Sequence, residues 1–275
     1  MHSLTCPICQ CALERTDNSL RCQANHNFDR ARQGYWNLLA VQQKKSKDPG
    51  DNAQMVAARR AFLDSGHYKP MAGAIQALLH STLPSDTQAS VLDMGCGEGY
   101  YTDQWQRALP EHLFYGLDIS KHAVKAACRR NKEICWLVAS GANMPIPAQS
   151  LDALTVVFSR LMPTPFADAL KPGGALILAW AREDHLLELR QQLYSEVKLA
   201  ESNPIDELSE HFELEQKETL CFDFTVSDPE QLHTLLLMTP HGQRVNAQKV
   251  EHLLQQPALT VRFSVNIALL RKRPE

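Results

Sequence analysis

The stretch Val91-Leu92-Asp93-Met94-Gly95-Cys96-Gly97-Glu98-Gly99-Tyr100 constrains the fold more than any other part of the chain. A run suited to a buried strand enters a turn with glycine at alternate positions, and Asp93 stands just ahead of the first. A strand ending in a glycine-rich loop is how an α/β sheet offers backbone N–H groups and a helix N-terminus to a nucleotide-like ligand. Asp118 closes the next apolar run, Leu113-Phe114-Tyr115-Gly116-Leu117, where an acid can hold ribose hydroxyls. The spacing Asp-x-Gly-x-Gly-x-Gly differs from the Gly-x-Gly-x-x-Gly of dinucleotide proteins. No Lys-Ser/Thr follows to cradle a triphosphate.

Around this loop the pattern alternates. Ala89–Met94, Leu113–Leu117, Ile134–Val138, Leu151–Phe158 and Ala175–Trp180 read as strands. Gly99–Leu109, Ser120–Asn131 and Phe166–Leu170 read as the helices between them, and Lys171-Pro172-Gly173-Gly174 as a turn. Such alternation predicts a mostly parallel sheet with right-handed crossovers and the ligand at the carboxyl ends of its strands. Ser140–Asn143 would then flank the ring of that ligand. Upstream, Asp51 or Asn52 is placed to cap a helix through Leu63, and a second helix spans Lys69 to Leu83. Downstream, a helix is expected from Arg182 to about Leu199. Strands near Thr219–Thr225 and Leu259–Leu269 bracket helices around Gln231–Met238 and Ala247–Gln255, so an antiparallel pair closes the sheet.

The N-terminal segment is of another kind. Cys6 and Cys9, then Cys22 and His26, have the Cys-x2-Cys…Cys-x3-His spacing of a tetrahedral zinc site. So short a segment cannot build a core of its own, and a metal would supply the missing folding energy. Four protein ligands close the site, which makes the metal structural; Cys11 reads as a spectator, and unconnected thiols are the competing reading. Arg30, Arg32, Tyr35 and Trp36 mix charge and rings as a base-stacking surface would, or pack the segment onto its neighbour. Lys44, Lys45 and Lys47 form the run best suited to phosphates. Residues 1–60 hold nine Lys/Arg against five Asp/Glu, a net +4, while the remainder carries −7, so a polyanionic partner is expected on the N-terminal side. No apolar run approaches the ~18 residues of a membrane span. The first residues lack a basic-then-apolar signal, so a cytoplasmic protein with no membrane partner is expected.

Taken together, Asp93-x-Gly95-x-Gly97-x-Gly99, Asp118 and Lys171-Pro172-Gly173-Gly174 resemble the class I S-adenosylmethionine-dependent methyltransferases over residues 85–270. The N-terminal half narrows the resemblance. Cys6-Pro7-x-Cys9, Cys22, His26, Phe28-Asp29, Gly34-Tyr35-x-Asn37-Leu38-Leu39, Asp48-Pro49-Gly50-Asp51 and Arg60-x-Phe62-Leu63-x-x-Gly66-x-Tyr68 stand in that order. Together they resemble the bacterial 23S rRNA guanine-N1-methyltransferases, which join a zinc ribbon to a methyltransferase domain. The resemblance implies an α/β, Rossmann-like fold with a C-terminal antiparallel strand. It implies a zinc-binding RNA-recognition module at 1–40, a linker with cofactor-covering helices at 41–84, and the methyltransferase domain at 85–275. It further implies one structural Zn2+ on Cys6, Cys9, Cys22 and His26. S-adenosylmethionine contacts are implied from Tyr68, the Gly99-Tyr100 turn, Asp118 and His185, beside Asp93, Gly95 and Gly97 of the loop. The implied reaction is methylation of guanine N1 in a 23S rRNA hairpin; a small-molecule methyltransferase with a purely structural zinc module is the alternative. The small surface of one zinc module points to a homodimer. No catalytic signature stands out in Phe158-Ser159-Arg160-Leu161-Met162-Pro163, where related enzymes face their acceptor.

Overall fold

A computed structural model describes residues 3–40, 42, 46–199, 202–243 and 246–274. Lys44 and Lys45, two of the three lysines expected to meet phosphates, lie outside the described residues. The zinc-ligand segment forms a four-stranded antiparallel sheet from β1 (Leu4–Thr5), β2 (Ala12–Arg15), β3 (Ser19–Arg21) and β4 (Asn27–Asp29). Then β5 (Trp36–Asn37) leaves that sheet and pairs in parallel with β8 (Cys135–Val138), as the outermost strand of the main sheet.

The main sheet has eight strands in the order β11-β12-β10-β9-β6-β7-β8-β5. Its centre is parallel: β6 (Ser90–Met94), β7 (Leu113–Asp118), β8, β9 (Leu151–Val157) and β10 (Leu170–Ala181). At the far edge β11 (Phe212–Val226) pairs antiparallel with β12 (Leu259–Lys272), which pairs antiparallel with β10. The expected turn at 171–174 is present as an irregularity inside β10, where the register shifts between Leu170 and Ala175.

The helices follow local signals. Asn52 caps α1 (Ala53–Asp64) by accepting the Met55 N–H at 3.0 Å, and Ser120 caps α4 (Lys121–Arg130) through the Ala123 N–H. Between them lie α2 (Lys69–Thr82) and α3 (Tyr100–Ala108); after them come α5 (Pro163–Ala169), α6 (Leu187–Leu193), α7 (Ile205–Leu208), α8 (Pro229–Met238) and α9 (Ala247–Leu254). The helix expected over 182–199 is confined to α6, because Leu186 adopts a left-handed φ of 50° and the chain leaves the helix after Leu193. Among the described residues no helix is long and apolar enough to cross a membrane.

Side chains alternate across a strand, so the sheet buries two apolar clusters. On one face Val91, Phe114, Trp136 and Ile177 pack with α1–α4, α6, α8 and α9. On the other, Leu92, Tyr115, Leu117 and Leu137 pack with Leu4, Leu20, Trp36 and Leu38 from the N-terminal segment. The zinc segment thus covers part of the sheet's second apolar face. Polar bonds hold it there: the Thr5 N–H donates to the Pro145 carbonyl (3.0 Å) and the Ser3 N–H to the Tyr115 hydroxyl (3.0 Å).

Candidate active site and metal centre

At the carboxyl end of β6, Asp93 is buried, and its two oxygens accept the hydroxyls of Thr102 (2.5 Å) and Thr155 (2.9 Å). Burial pushes its carboxyl up to about 6 against those two bonds, so it clamps β6, β9 and α3 together rather than meeting solvent. The glycine loop then turns through left-handed φ values of 78°, 56° and 82° at Gly95, Gly97 and Gly99, a conformation that penalises a side chain. Its N–H groups are pinned: Gly95 and Cys96 donate to the Leu117 carbonyl, and Gly97 donates to Asp118 Oδ2 at 2.9 Å. Asp118 Oδ1 accepts the Ser120 N–H at 2.7 Å. Each Asp118 oxygen keeps a second lone pair for a ligand hydroxyl.

These groups border one cavity of about 980 Å³, at the upper end of the roughly 300–1,000 Å³ of ligand pockets. Gly95, Gly97, Tyr68, Tyr100, Asp118 and His185 line it, so the structure brings those sequence-predicted residues together around a single space; Asp93 lines it too, and Gly99 caps α3 beside it. A Cβ on Gly97 would meet only the Arg59 side chain, at an ordinary contact distance of 3.7 Å, so it clashes with nothing in the chain and would instead take up room beside the cavity. The hydroxyl of Tyr68 is buried and has no hydrogen-bond partner among the described residues, which is costly unless a ligand supplies one. The donor set therefore fits S-adenosylmethionine: a carboxylate for ribose, a glycine cradle, and the buried Tyr68 phenol.

His185 lies just before α6 rather than on a surface helix. Its Nδ1 lies 3.1 Å from the Ser264 carbonyl and 3.2 Å from the Ser264 N–H, so it donates to the one or accepts from the other according to tautomer, and burial pulls its pKa down to about 4. Its ring meets those of Phe158 (5.6 Å between centroids), Phe263 (5.1 Å) and Tyr68 (6.5 Å).

Several residues at the site had no individual role assigned from the sequence. Arg59 of α1 reaches across Gly97 and pairs with Asp51. Ser159 packs so closely on Gly95 that a Cβ there would sit 2.2 Å from its Oγ. Phe158, at a left-handed φ of 50°, holds its ring 44% exposed at the end of β9. Glu98 is buried and bonded to Arg130 Nε at 3.0 Å. Asn143, expected beside the ligand ring, is spent elsewhere: its amide donates to the Pro7 carbonyl (3.1 Å) and its oxygen accepts the Gln10 side chain (2.8 Å).

Those last bonds fasten the metal centre. The ligand atoms of Cys6, Cys9, Cys22 and His26 all lie within 4.8 Å of one another. Cys9 Sγ and Cys22 Sγ are 3.6 Å apart, and His26 Nδ1 is 3.5 Å from Cys6 Sγ and 3.4 Å from Cys22 Sγ. Tetrahedral zinc with Zn–S bonds of about 2.3 Å requires S···S distances of about 3.8 Å, so the cluster fits the ion. Each half sits on a tight turn closed by a left-handed residue, Gln10 or Asn25, whose N–H returns to the carbonyl of Cys6 or Cys22. Cys11 is exposed and stands outside the cluster of four.

The sheet order and the glycine-loop cavity define a class I, S-adenosylmethionine-dependent methyltransferase. Phosphoethanolamine N-methyltransferase 2 from Haemonchus contortus, solved with S-adenosyl-L-methionine, shares the fold, with a TM-score of 0.50 at 15% identity over 81% of this chain and 58% of that one. A family model described as "RlmA, N-terminal" matches residues 4–47, and one described as "Methyltransferase domain" matches residues 91–174. A 23S rRNA (guanine(748)-N(1))-methyltransferase from Streptomyces fradiae is 31% identical over 95% of each chain. A Bacillus subtilis (strain 168) protein provisionally described as a 23S rRNA (guanine-N(1)-)-methyltransferase is 27% identical over 96% of this chain and 95% of its own. The chain belongs to the family of 23S rRNA (guanine-N1)-methyltransferases.

Proposed function

We propose that this protein transfers a methyl group from S-adenosylmethionine to N1 of one guanine in a hairpin of 23S rRNA, working in the cytoplasm. The observation that carries this reading is likeness through the whole chain to a guanine-N1 enzyme, zinc segment included, at 31% identity. A small-molecule acceptor is not favoured, because it gives no reason for the likeness to extend through a zinc module seated beside the catalytic domain.

In this reading residues 1–40 recognise RNA, residues 41–84 cover the cofactor, and residues 85–275 bind it. Asp118 accepts the ribose hydroxyls, the backbone of Gly95, Gly97 and Gly99 lets the cofactor lie close, and Tyr68, Tyr100 and His185 serve its polar groups. The bound cofactor supplies an already activated methyl group, so the protein's task is alignment. Phe158 offers its exposed ring to the acceptor base, which leaves the RNA stack to reach it. The N1 proton needs an acceptor. Of the carboxylates lining the cavity, Asp51, Asp93, Glu98 and Asp118 are engaged by Arg59, two threonines, Arg130 and two N–H groups. Glu207 of α7 has no such bond among the described residues and is assigned the proton. Two copies of the chain would frame a hairpin more fully than one zinc module does.

The test is transfer of labelled methyl to 23S rRNA lacking its own modifications, mapped by the primer-extension stop that an N1-methylguanine causes. One strong stop at a hairpin guanine is expected. Incorporation without a stop would place the methyl on another atom, and no incorporation with cofactor bound would move the acceptor away from free rRNA.

A further inference from the structure

The outward face of α4 carries charge that the fold does not use. Lys121, Lys125 and Arg129 recur at every fourth residue and are exposed, while Ala123, Val124, Ala127 and Cys128 on the other side are buried. Lys132, just past the helix, is exposed as well. Among the described residues none of these four forms an ion pair. Like charges four apart repel, and Lys121 at the first position faces the positive end of the helix dipole. The arrangement costs local stability and, among the described residues, recovers none of it through ion pairs.

Its two ends give the stripe a direction. At the start, His122 Nε2 meets Asp48 Oδ2 at 2.8 Å, tying α4 to the loop whose Gly50 and Asp51 line the cofactor cavity. At the finish, Lys132 opens onto a second cleft of about 540 Å³, walled on its other side by Arg30 and Arg32 of the zinc segment. That cleft also holds Asp29, whose carboxylate is occupied by the Asn27 amide at 3.1 Å. From Lys121 to Arg129 the helix rises about 12 Å, a length over which an RNA backbone presents several phosphates.

We propose that the exposed face of α4, continued across the second cleft by Arg30 and Arg32, is a rail for the sugar-phosphate backbone of double-helical RNA, the stem adjoining the methylated loop. Charge complementarity selects the occupant: a row of unpaired cations on a chain of net charge −3 matches a polyanion, and its even spacing carries no base-reading pattern. The proposal rests on the rRNA reading above and adds the surface that holds the stem.

The experiment measures binding of protein-free 23S rRNA between 50 and 200 mM salt, for wild type and for Lys121→Gln/Lys125→Gln/Arg129→Gln/Lys132→Gln. Each phosphate contact contributes about 0.9 to the salt slope, so the slope should fall by roughly 3 and affinity at the upper salt by roughly tenfold to a hundredfold. S-adenosylmethionine affinity and the melting temperature should hold, which separates a lost rail from a damaged fold. An unchanged slope in a variant that folds overturns the rail while leaving the rRNA reading intact. Duplex RNA without the target should displace the complex; displacement by single-stranded RNA alone also overturns it. Wild type that neither binds nor methylates the rRNA would bring down the underlying reading instead.

Discussion

The zinc segment and the eight-stranded sheet solve the same problem by different means. The sheet buries two broad apolar clusters, and its stability is spread over dozens of side chains. Within β1–β4 the zinc segment fully buries Leu4 and Leu20, with Leu13 and Phe28 half-buried beside them, and its fold is drawn together at four ligand atoms. Structural zinc supplies roughly 10–16 kcal/mol of folding energy, comparable to the net stability of a whole domain. Where stability is concentrated, one atom can remove it; where it is spread, a single loss is absorbed.

The largest effect should therefore come from the metal. Cys22→Ser, or exhaustive chelation, should strip the ion and lower rRNA methylation at least a hundredfold, while S-adenosylmethionine affinity changes only a few-fold. Metal content and calorimetric titration check this. If the sheet melted at the same lowered temperature as the zinc segment, the two regions would be one cooperative unit and the contrast would fail.

Within the sheet domain the glycines sharpen the point. At Gly99 a Cβ would lie 2.6 Å from Trp136 and 3.0 Å from Ala127 at a φ of 82°, so Gly99→Ala should cost about 2–4 kcal/mol of stability. At Gly97 a Cβ would make only an ordinary contact with Arg59 at 3.7 Å, so Gly97→Ala should cost only about 1–2 kcal/mol through its backbone yet weaken the cofactor. Denaturant midpoints and cofactor titration distinguish them; equal stability losses would contradict the packing argument.

Acid provides a gentler probe. The His185 ring takes a proton near pH 6.5 when unfolded but near 4 in the fold, so its contribution is complete above 6.5 and is lost as pH falls toward 4, about 3 kcal/mol in all. Asp93 runs the other way: its carboxyl, held up at about 6, favours the fold increasingly as pH drops from 6 toward its unfolded value. His185→Gln should expose that second slope, gaining stability relative to wild type between pH 7 and 4. A pH-independent difference between the two proteins would count against the buried neutral ring.

The smallest expected effect lies at the joint. Asn143→Ala removes two bonds to the zinc segment and should cost about 1–2 kcal/mol, with KM for rRNA rising more than KM for the cofactor. Equal changes in both would show that the joint merely stabilises.

Features carried by sequence spacing were legible: Cys6, Cys9, Cys22 and His26, which the structure gathers into one cluster, the glycine loop with Asp118 at the end of the next strand, and the strand–helix alternation. What was not legible depends on distant partners. β11 runs from Phe212 rather than from near Thr219, because its exposed Glu213, Glu215 and Lys217 give no apolar pattern and only pairing with β12 makes them a strand. The helix expected from Arg182 begins only at Leu187, since the preceding turn instead lodges His185 against Ser264. Asn143 looked like a loop residue near the ligand, and its bonds to Pro7 and Gln10, more than 130 positions away, decide its role.

One short strand has a practical consequence. Because Trp36 and Asn37 are stitched to Leu137 and Val138, the N-terminal segment is not a bead on a string. An engineer wishing to give this enzyme a different N-terminal module cannot cut at residue 40 and splice. The seam has to fall in residues 31–34, between the last zinc-sheet strand and β5, so that every chimera keeps the eighth strand, and the replacement has to cover the apolar face that Leu4 and Leu20 cover here.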